Sequence, residues 1–444
     1  MNRNLRKLVS AISFILVSVC VFAQDGAFNA YSPYSVYGIG DILKDGNAFT
    51  KTMGGVGIAT RNRRYINYLN PAAITARDSL SFMADFGLQE NNKVFSQKVG
   101  DTAYKSANNT FNISDFVLSF PIWRSSAFMV GIAPFSDIGY DFSSVEERPE
   151  IIGNTNNITY NSYGNGGVYQ VFFGAGATFW KRLSVGAEAI YYFGTLDKIT
   201  NTVFSDNSYR SVNAGYETQV RSFSGKVGIQ YEQKIAGNVS MILGATYRPM
   251  TRMSGELNDY SYAVASELTD TLRYNPVSLK DQGLMFGDEI GVGLSVKGGE
   301  KWSVEFDYLR SDWSKSGLDE ATGFKVYNHS GKLFSSSVSQ SFRAGFEITP
   351  NRNDIRYYFR RVTYRGGIYH EEQSFLMDGH KVSASGITLG MTLPVFRLYN
   401  GLTFGVDLGQ RGSLKSDTMV RERYATIYVG FNIHDIWFQK PRYN

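Results

Sequence analysis

Apolar and polar residues alternate one by one through much of the chain after residue 79. Val304, Phe306 and Tyr308 share one parity, and Ser303, Glu305 and Asp307 share the other. Phe342, Ala344, Phe346 and Ile348 oppose Ser341, Arg343, Gly345 and Glu347 in the same way. The pattern returns with Leu402, Phe404, Val406 and Leu408, and again with Ala425, Ile427, Val429, Phe431 and Ile433. A period of two puts such sets on opposite faces of a β-strand. A soluble sandwich alternates too, so the joints between strands decide. Short joints at 121–125, 180–182, 234–237, 297–300, 350–356 and 396–400 interleave with longer ones near 90–110, 144–165, 197–213, 256–281, 312–334, 372–379 and 412–420. Six short and seven long joints divide residues 79–433 into 14 strands. An even count, with tight turns on one side and long loops on the other, is the arrangement of bacterial outer-membrane barrels.

The wall must then meet itself, because hydrocarbon offers the backbone no hydrogen bonds and tolerates no open sheet edge. The pattern therefore predicts an all-β fold, a 14-stranded antiparallel transmembrane β-barrel. Its apolar parity should face lipid. Glu305, Asp307, Arg343, Glu347, Arg365 and Asp407 should face the lumen, where charges of both signs pair with one another and with water. Trp123, Trp180, Trp302 and Trp437 fall near short-joint ends, where amphipathic rings sit at the membrane interface. Composition agrees: aromatic residues make up 15% of the chain, with 45 Gly and only 10 Pro. No apolar run of about 20 residues follows the signal-like N-terminus, which argues against a helical membrane protein.

The N-terminus changes the compartment. Arg3, Arg6 and Lys7 precede an apolar run from Leu8 to Phe22, and Val21-Phe22-Ala23 supplies a cleavage site. Residues 1–23 are read as a secretory signal peptide. A lipoprotein reading of Cys20 is disfavoured by the bulky Val19 before it, and cleavage after Ala23 removes the only cysteine. Loss of the signal's three cations leaves 42 basic against 40 acidic residues, a near-balance that gives no electrostatic argument for nucleic acid. Outer-membrane lipid and lipopolysaccharide are the expected surroundings, and the bacterial outer membrane the expected location.

Residues 24–78 do not alternate. They hold Ser32-Pro-Tyr-Ser-Val-Tyr-Gly-Ile-Gly-Asp41, Met53-Gly-Gly-Val-Gly-Ile-Ala59 and Asn70-Pro-Ala-Ala-Ile74. Gly54, Gly55 and Gly57 would let the backbone turn sharply or approach a wall closely, and Pro71 would stiffen the entry to the next element. This segment is expected to be an N-terminal plug, or hatch, filling a lumen that would otherwise be an aqueous pore; a periplasmic extension is the other reading. The barrel is expected over 79–433 and a periplasmic C-terminal tail over 434–444.

Here the sequence resembles the FadL/TodX group of outer-membrane transporters for hydrophobic compounds, and within it a Bacteroidetes branch. The resemblance rests on the Gly-rich stretch Gly54 to Ala59, on Asn70-Pro71-Ala72-Ala73 just before strand one, and on a barrel that independently counts to 14. It implies hatch positions at Gly54, Gly55, Gly57, Asn70, Pro71, Ala72 and Ala73. It also implies capture of a small hydrophobic ligand, fatty-acid-like or aromatic, by loops at 90–110, 144–165 and 256–281. Lateral release would then follow beside a kinked third strand, through Gly131, Pro134, Phe135, Gly139 and Tyr140. Pro134 cannot complete a ladder bond and glycines weaken a strand, so a gap there is physically reasonable; a bulge near the rim is the plainer alternative. The Ser32–Asp41 element and the tail set this chain apart from the fatty-acid transporters. Bacteroidetes branches also include non-transporting accessory barrels, subunits of outer-membrane protein assembly or secretion complexes, whose partners would be other complex subunits.

Catalysis has little support. His329, His370, His380 and His434 are scattered among expected loops and strand ends, with no metal-ligand pair and no compact Ser/His/Asp grouping. No enzyme activity, cofactor or metal is expected.

Overall fold

The computed structural model describes residues 31–436, apart from 79, 124, 154, 156, 207, 266–267, 329–330, 396–399 and 417. The signal peptide expected at 1–23, residues 24–30, Trp437 and the rest of the tail lie outside the described residues. Fourteen wall strands are present among those described. They are β1 (Ser81–Val99), β2 (Thr102–Trp123), β3 (Ser126–Asp137, resuming as Tyr140–Val145), β4 (Ile158–Phe179), β5 (Leu183–Phe204), β6 (Ser211–Ala236) and β7 (Val239–Arg248, resuming as Gly255–Ala265). The second half comprises β8 (Leu268–Ser278, resuming as Asp288–Gly298), β9 (Trp302–Asp312), β10 (Val338–Ile348), β11 (Thr363–Met377), β12 (His380–Pro394), β13 (Gly401–Arg411) and β14 (Arg421–Ile436). Each pairs antiparallel with its sequence neighbours, and β14 closes on β1 from Ser81↔Ile436 to Ser96↔Arg421. That closure leaves the ring without the free edges that lipid could not satisfy.

The two faces separate as the alternation requires. Phe306, Phe342, Phe346, Ile368, Leu408, Ile427 and Phe431 are exposed on the outside, and Glu305, Asp307, Glu347, Arg365 and Asp407 are buried within. Trp123 and Trp180 are 75% and 83% exposed at the short-turn rim, as interface anchors should be. The β4–β5 turn carries Trp180 and Lys181 at φ 48° and 61°, left-handed residues that reverse the chain between the paired Phe179 and Leu183.

The strands outrun the sequence reading on the long-loop side. Residues 90–110, expected as a ligand-capturing loop, are the continuation of β1 and β2 to a turn between Val99 and Thr102. The expected loop at 256–281 is likewise largely a hairpin, paired from Glu256↔Ser278 to Ala265↔Leu268, and β4 already begins at Ile158 within the expected loop 144–165. Polar residues occupy both faces of these extensions, as in Gln89, Glu90, Asn91, Asn92 and Lys93, so the period-two signal fades while the ladder continues. At the other end β14 runs on to Ile436, past the boundary expected at 433.

The mouth on the long-loop side has an apolar core of its own. Met253, Leu257, Leu279, Leu284, Phe286, Trp313, Leu318 and Phe324 are buried together, and Tyr34 and Ile39 join them from the N-terminal segment.

Candidate functional site

Residues 32–76 lie against the inward face of the wall, and the contact is glycine against backbone. Gly176, Gly186 and Gly228 stand side by side across β4, β5 and β6. A β-carbon at Gly176 would lie 2.9 Å from the Pro71 carbonyl oxygen, and one at Gly228 would lie 2.9 Å from Pro71 Cδ. Gly244 and Gly293 are paired across β7 and β8, and a β-carbon on either would lie 3.0 Å from Ala59. Gly345 and Gly367 are paired across β10 and β11 beneath Met53 and Gly54; Gly390 and Gly405 are paired across β12 and β13 beneath Thr52. Any larger residue would hold the segment off the wall, which is why these inward positions carry no side chain.

The hatch residues read from sequence take distinct parts in this packing. Gly54 and Gly55 have φ of 76° and 80°, a left-handed turn that L side chains resist, and a β-carbon on Gly54 would lie 2.8 Å from the Ala344 carbonyl oxygen. Asn70 caps the short 3-10 helix Pro71–Thr75 by accepting from Ala72 N, while its amide donates to the Ile58 carbonyl at 2.8 Å. Pro71 at the first helical position needs no N–H partner. Ala72 and Ala73 are small enough to be buried against the glycine wall.

All six lumen charges hold the segment or each other. Asp307 accepts from Gly57 N at 2.6 Å and Ile58 N at 2.9 Å, and Glu305 accepts from the Thr60 hydroxyl. Arg343 donates to the Gly55 carbonyl at 3.0 Å and pairs with Glu371 at 2.9 Å. Arg365 pairs with Glu347 at 2.9 Å and lies 4.2 Å over the Phe49 ring. Asp407 receives Lys44 at 3.4 Å and the Tyr369 hydroxyl at 2.7 Å. Within the segment, burial pushes the Lys51 ammonium down from its ordinary pKa, opposed by Asp115 and Asp45.

The third strand is irregular around Pro134. Register shifts between Pro134 and Ser136 against β4, and Phe135 turns inward to meet Tyr192 at 4.7 Å and Phe286 at 5.7 Å. Gly139 falls in the interruption between Asp137 and Tyr140, while Gly131 is packed under the Phe172 ring. Pairing between β2 and β3 ends, among the described residues, at Phe116↔Ile132. Above that point the N-terminal segment takes the place of β2. Asp41 and Ile42 pair antiparallel with Asp137 and Ser136, Leu43 N donates to the Phe135 carbonyl at 2.9 Å, and Ser32 N donates to the Gly139 carbonyl at 2.8 Å. The Ser35 hydroxyl accepts from Gly139 N at 3.1 Å, and Ser136 Oγ donates to the Ile39 carbonyl at 2.9 Å.

A buried ion cluster fixes this strand. Arg411 holds Asp41 and Glu422 together, its Nη2 also donating to Ser32 Oγ at 2.7 Å, and Lys93 reaches Glu422 at 2.8 Å. Sequence reasoning missed Arg411, Glu422 and Lys93. Arg411 and Glu422 sit at strand ends facing each other across one long joint, and only the inward parity of β13 and β14 could have marked them. The lumen cavities on either side of Ile42–Lys44 are small, about 130 Å³ and 140 Å³, and are lined by apolar side chains such as Ile42, Leu43, Phe135 and Trp313 together with charged ones such as Lys226, Arg248, Glu289, Lys93 and Asp407. His370 meets Ser385 Oγ at 2.8 Å, but on the exposed outer face of the wall; His329 lies outside the described residues.

Fold and site together define a 14-stranded outer-membrane β-barrel with a break in its wall beside the third strand and its own N-terminal segment in that break. The family described as BamG matches residues 5–444. The chain belongs to the BamG family. No curated protein matches it. Solved structures share its barrel: the Pseudomonas putida toluene transporter TodX (TM-score 0.60, 14% identity, 90% of this chain and 100% of that one) and the Ralstonia pickettii toluene transporter TbuX (TM-score 0.56, 14% identity, 88% and 98%). A Pseudomonas aeruginosa FadL homologue is similar as well (TM-score 0.56, 10% identity, 89% and 100%). The FadL/TodX-like fold expected from sequence is thus the fold of the chain.

Proposed function

We propose that this protein is a closed accessory barrel, a subunit of an outer-membrane protein assembly or secretion complex. One observation carries the reading: the break between β2 and β3 is occupied by Ser32–Leu43, fastened by backbone pairing and by the Arg411 cluster. The space behind it supports the same conclusion. An apolar solute moving from the mouth to the break would have to pass the packed core over the lumen and then small cavities of about 130 Å³ and 140 Å³, where it would strip water from the charges of Arg248, Glu289, Lys93 and Asp407. Residues 24–78 serve as the hatch in this reading, and the six lumen charges are its fastenings. Gentle purification of the full protein from native membranes, with reversible crosslinking, tests the proposal. A stoichiometric outer-membrane protein partner is expected; an isolated barrel carrying only a bound apolar compound would overturn it.

Uptake of small hydrophobic compounds is the second reading, and two observations favour it. The barrel is the fold of the toluene transporters named above, and the ladder of the third strand shifts register just after Pro134, with Phe135, Tyr192 and Phe286 clustered there. Under this reading Ser32–Leu43 leaves the break to let ligand out into lipid, where each methylene kept from water saves roughly 0.8 kcal/mol. Replacing Pro134 with a ladder-competent residue should then reduce uptake of radiolabelled toluene without reducing barrel assembly; unchanged uptake would count against it.

A further inference from the structure

The outer face of the wall carries a cluster of cations toward its long-loop side. Ser96 on β1 faces outward, on the parity opposite Lys93, whose ammonium reaches inward to Glu422. Its direct partners across the ladder are Arg421 on β14 and Lys105 on β2. Arg423, beside Val94, is one outward step closer to the membrane, and Lys98, beside Ala103, is one step farther out. Among the described residues none of the four has a carboxylate partner: Arg423 donates to Gln410 Oε1 at 3.2 Å, and Arg421 Nε is enclosed without a hydrogen-bond partner. Two carboxylates on the same face are already engaged, Glu372 by Lys381 and Glu90 by Asn109 at 2.9 Å. Like charges on neighbouring cross-strand positions destabilise a sheet, and an anion bound among them turns that repulsion into attraction.

The wall beside the cluster indicates what carries that anion. Gly386 and Gly409 are paired across β12 and β13, and a furrow of about 520 Å³ runs over them on the outer side. Its membrane-ward part is lined by the exposed Ile368, Ile387 and Leu408, and its upper end by Ser385, Gln410 and Arg423. Arg423 thus belongs to both furrow and cluster. It lies four residues above the exposed Ile427 on β14, roughly 14 Å along a tilted strand, and the outward positions between them on β1 and β2, Glu90, Asn92 and Asn109, are already polar. That is the headgroup layer of the extracellular leaflet, since long joints mark the extracellular side. Arg421 and Lys105 stand on either side of β1, roughly 10 Å apart at the backbone, a span suited to a head bearing more than one anionic group. We propose that this patch binds the phosphorylated head of an outer-leaflet glycolipid of the lipid A type, with one acyl chain in the furrow along Ile387 and Leu408.

Native mass spectrometry of the full protein in detergent tests this, with bis-phosphorylated lipid A, its dephosphorylated form and phosphatidylglycerol added in turn. One retained bis-phosphorylated lipid A per barrel is expected, with the other two held clearly less well. Arg423→Gln/Lys105→Gln should weaken its binding by about tenfold or more, since charge-assisted bonds to phosphate are lost. Lys234→Gln, at the short β6–β7 turn on the opposite rim, should leave it unchanged. A heat-modifiable gel shift identical to wild type certifies that each variant is folded. Equal retention of the dephosphorylated form, or equal binding by wild type and the double variant, would overturn the proposal, because the cations would then play no part. So would equal retention of phosphatidylglycerol, or displacement of lipid A by inorganic phosphate at matching concentration, because the patch would then read any single phosphate.

Discussion

Arg411 grips the Asp41 carboxylate through both terminal nitrogens, Nη1 to Oδ1 at 2.5 Å and Nη2 to Oδ2 at 2.9 Å. Glu422 shares the same guanidinium, and Lys93 shares Glu422. Removing one partner from a buried pair leaves an uncompensated charge, at a cost of about 3–5 kcal/mol. Asp41→Ala should therefore loosen the segment in the wall break while the barrel itself, closed from β14 to β1, stays folded. Limited proteolysis checks this: cleavage between residues 32 and 45 should accelerate at least tenfold, with the heat-modifiable band intact. Unchanged cleavage would mean that backbone pairing to β3 holds the segment alone.

The inward glycines give a second test. A β-carbon at Gly367 would lie 2.7 Å from Gly54 Cα, in contact with backbone that cannot rotate away. Gly367→Val should cost about 1–3 kcal/mol through overpacking, lower the thermal midpoint and raise hydrogen exchange across residues 53–59. Gly225 faces nothing closer than the Glu188 carbonyl at 3.4 Å, so Gly225→Ala should be tolerated by both measures.

Asp307 accepts two adjacent backbone N–H groups, from Gly57 and Ile58. Bonds to a charged acceptor contribute about 1.5–3 kcal/mol, against about 0.5–1.5 kcal/mol for a neutral one. Asp307→Asn keeps the shape and removes the charge. Amide exchange of Gly57 and Ile58 should rise by about tenfold, while exchange at the distant Asn70–Ala73 cap should not change.

The wall was legible because its energetics repeat at every strand. Lipid outside and polar packing inside force the parity of residues such as Phe306 and Asp307, and joint lengths alternate because one end faces a thin rim and the other carries long extensions. The hatch motif was legible in part: Gly54 and Asn70 have backbone duties that few residue types can perform. The seal was not. Asp41, Arg411, Glu422 and Lys93 come from four separate stretches and show no common spacing, and Asp41–Ile42 is too short a strand to leave a periodic signal. The glycines of β4 to β14 did carry one, since Gly345, Gly405 and Gly430 fall on the same parity as Arg343, Asp407 and Asn432. Inward glycines in strand after strand mean that another backbone lies against the wall.

The antiparallel pair Ile42↔Ser136 separates the two functional readings. Directly opposed residues on neighbouring strands have β-carbons about 4.5–5.5 Å apart, near enough for a disulfide after small adjustment. The chain's single cysteine is Cys20, so replacing it with Ser alongside Ile42→Cys/Ser136→Cys leaves the introduced pair as the only thiols that can form the bridge. A locked seal leaves an accessory subunit working: partner recovery and growth should match wild type with or without reductant. A transporter that must clear its third strand behaves otherwise, losing toluene uptake when oxidised and regaining it on reduction. Loss of partner recovery in the oxidised state alone would show that the segment must move for assembly as well, and would overturn the closed form as the working one.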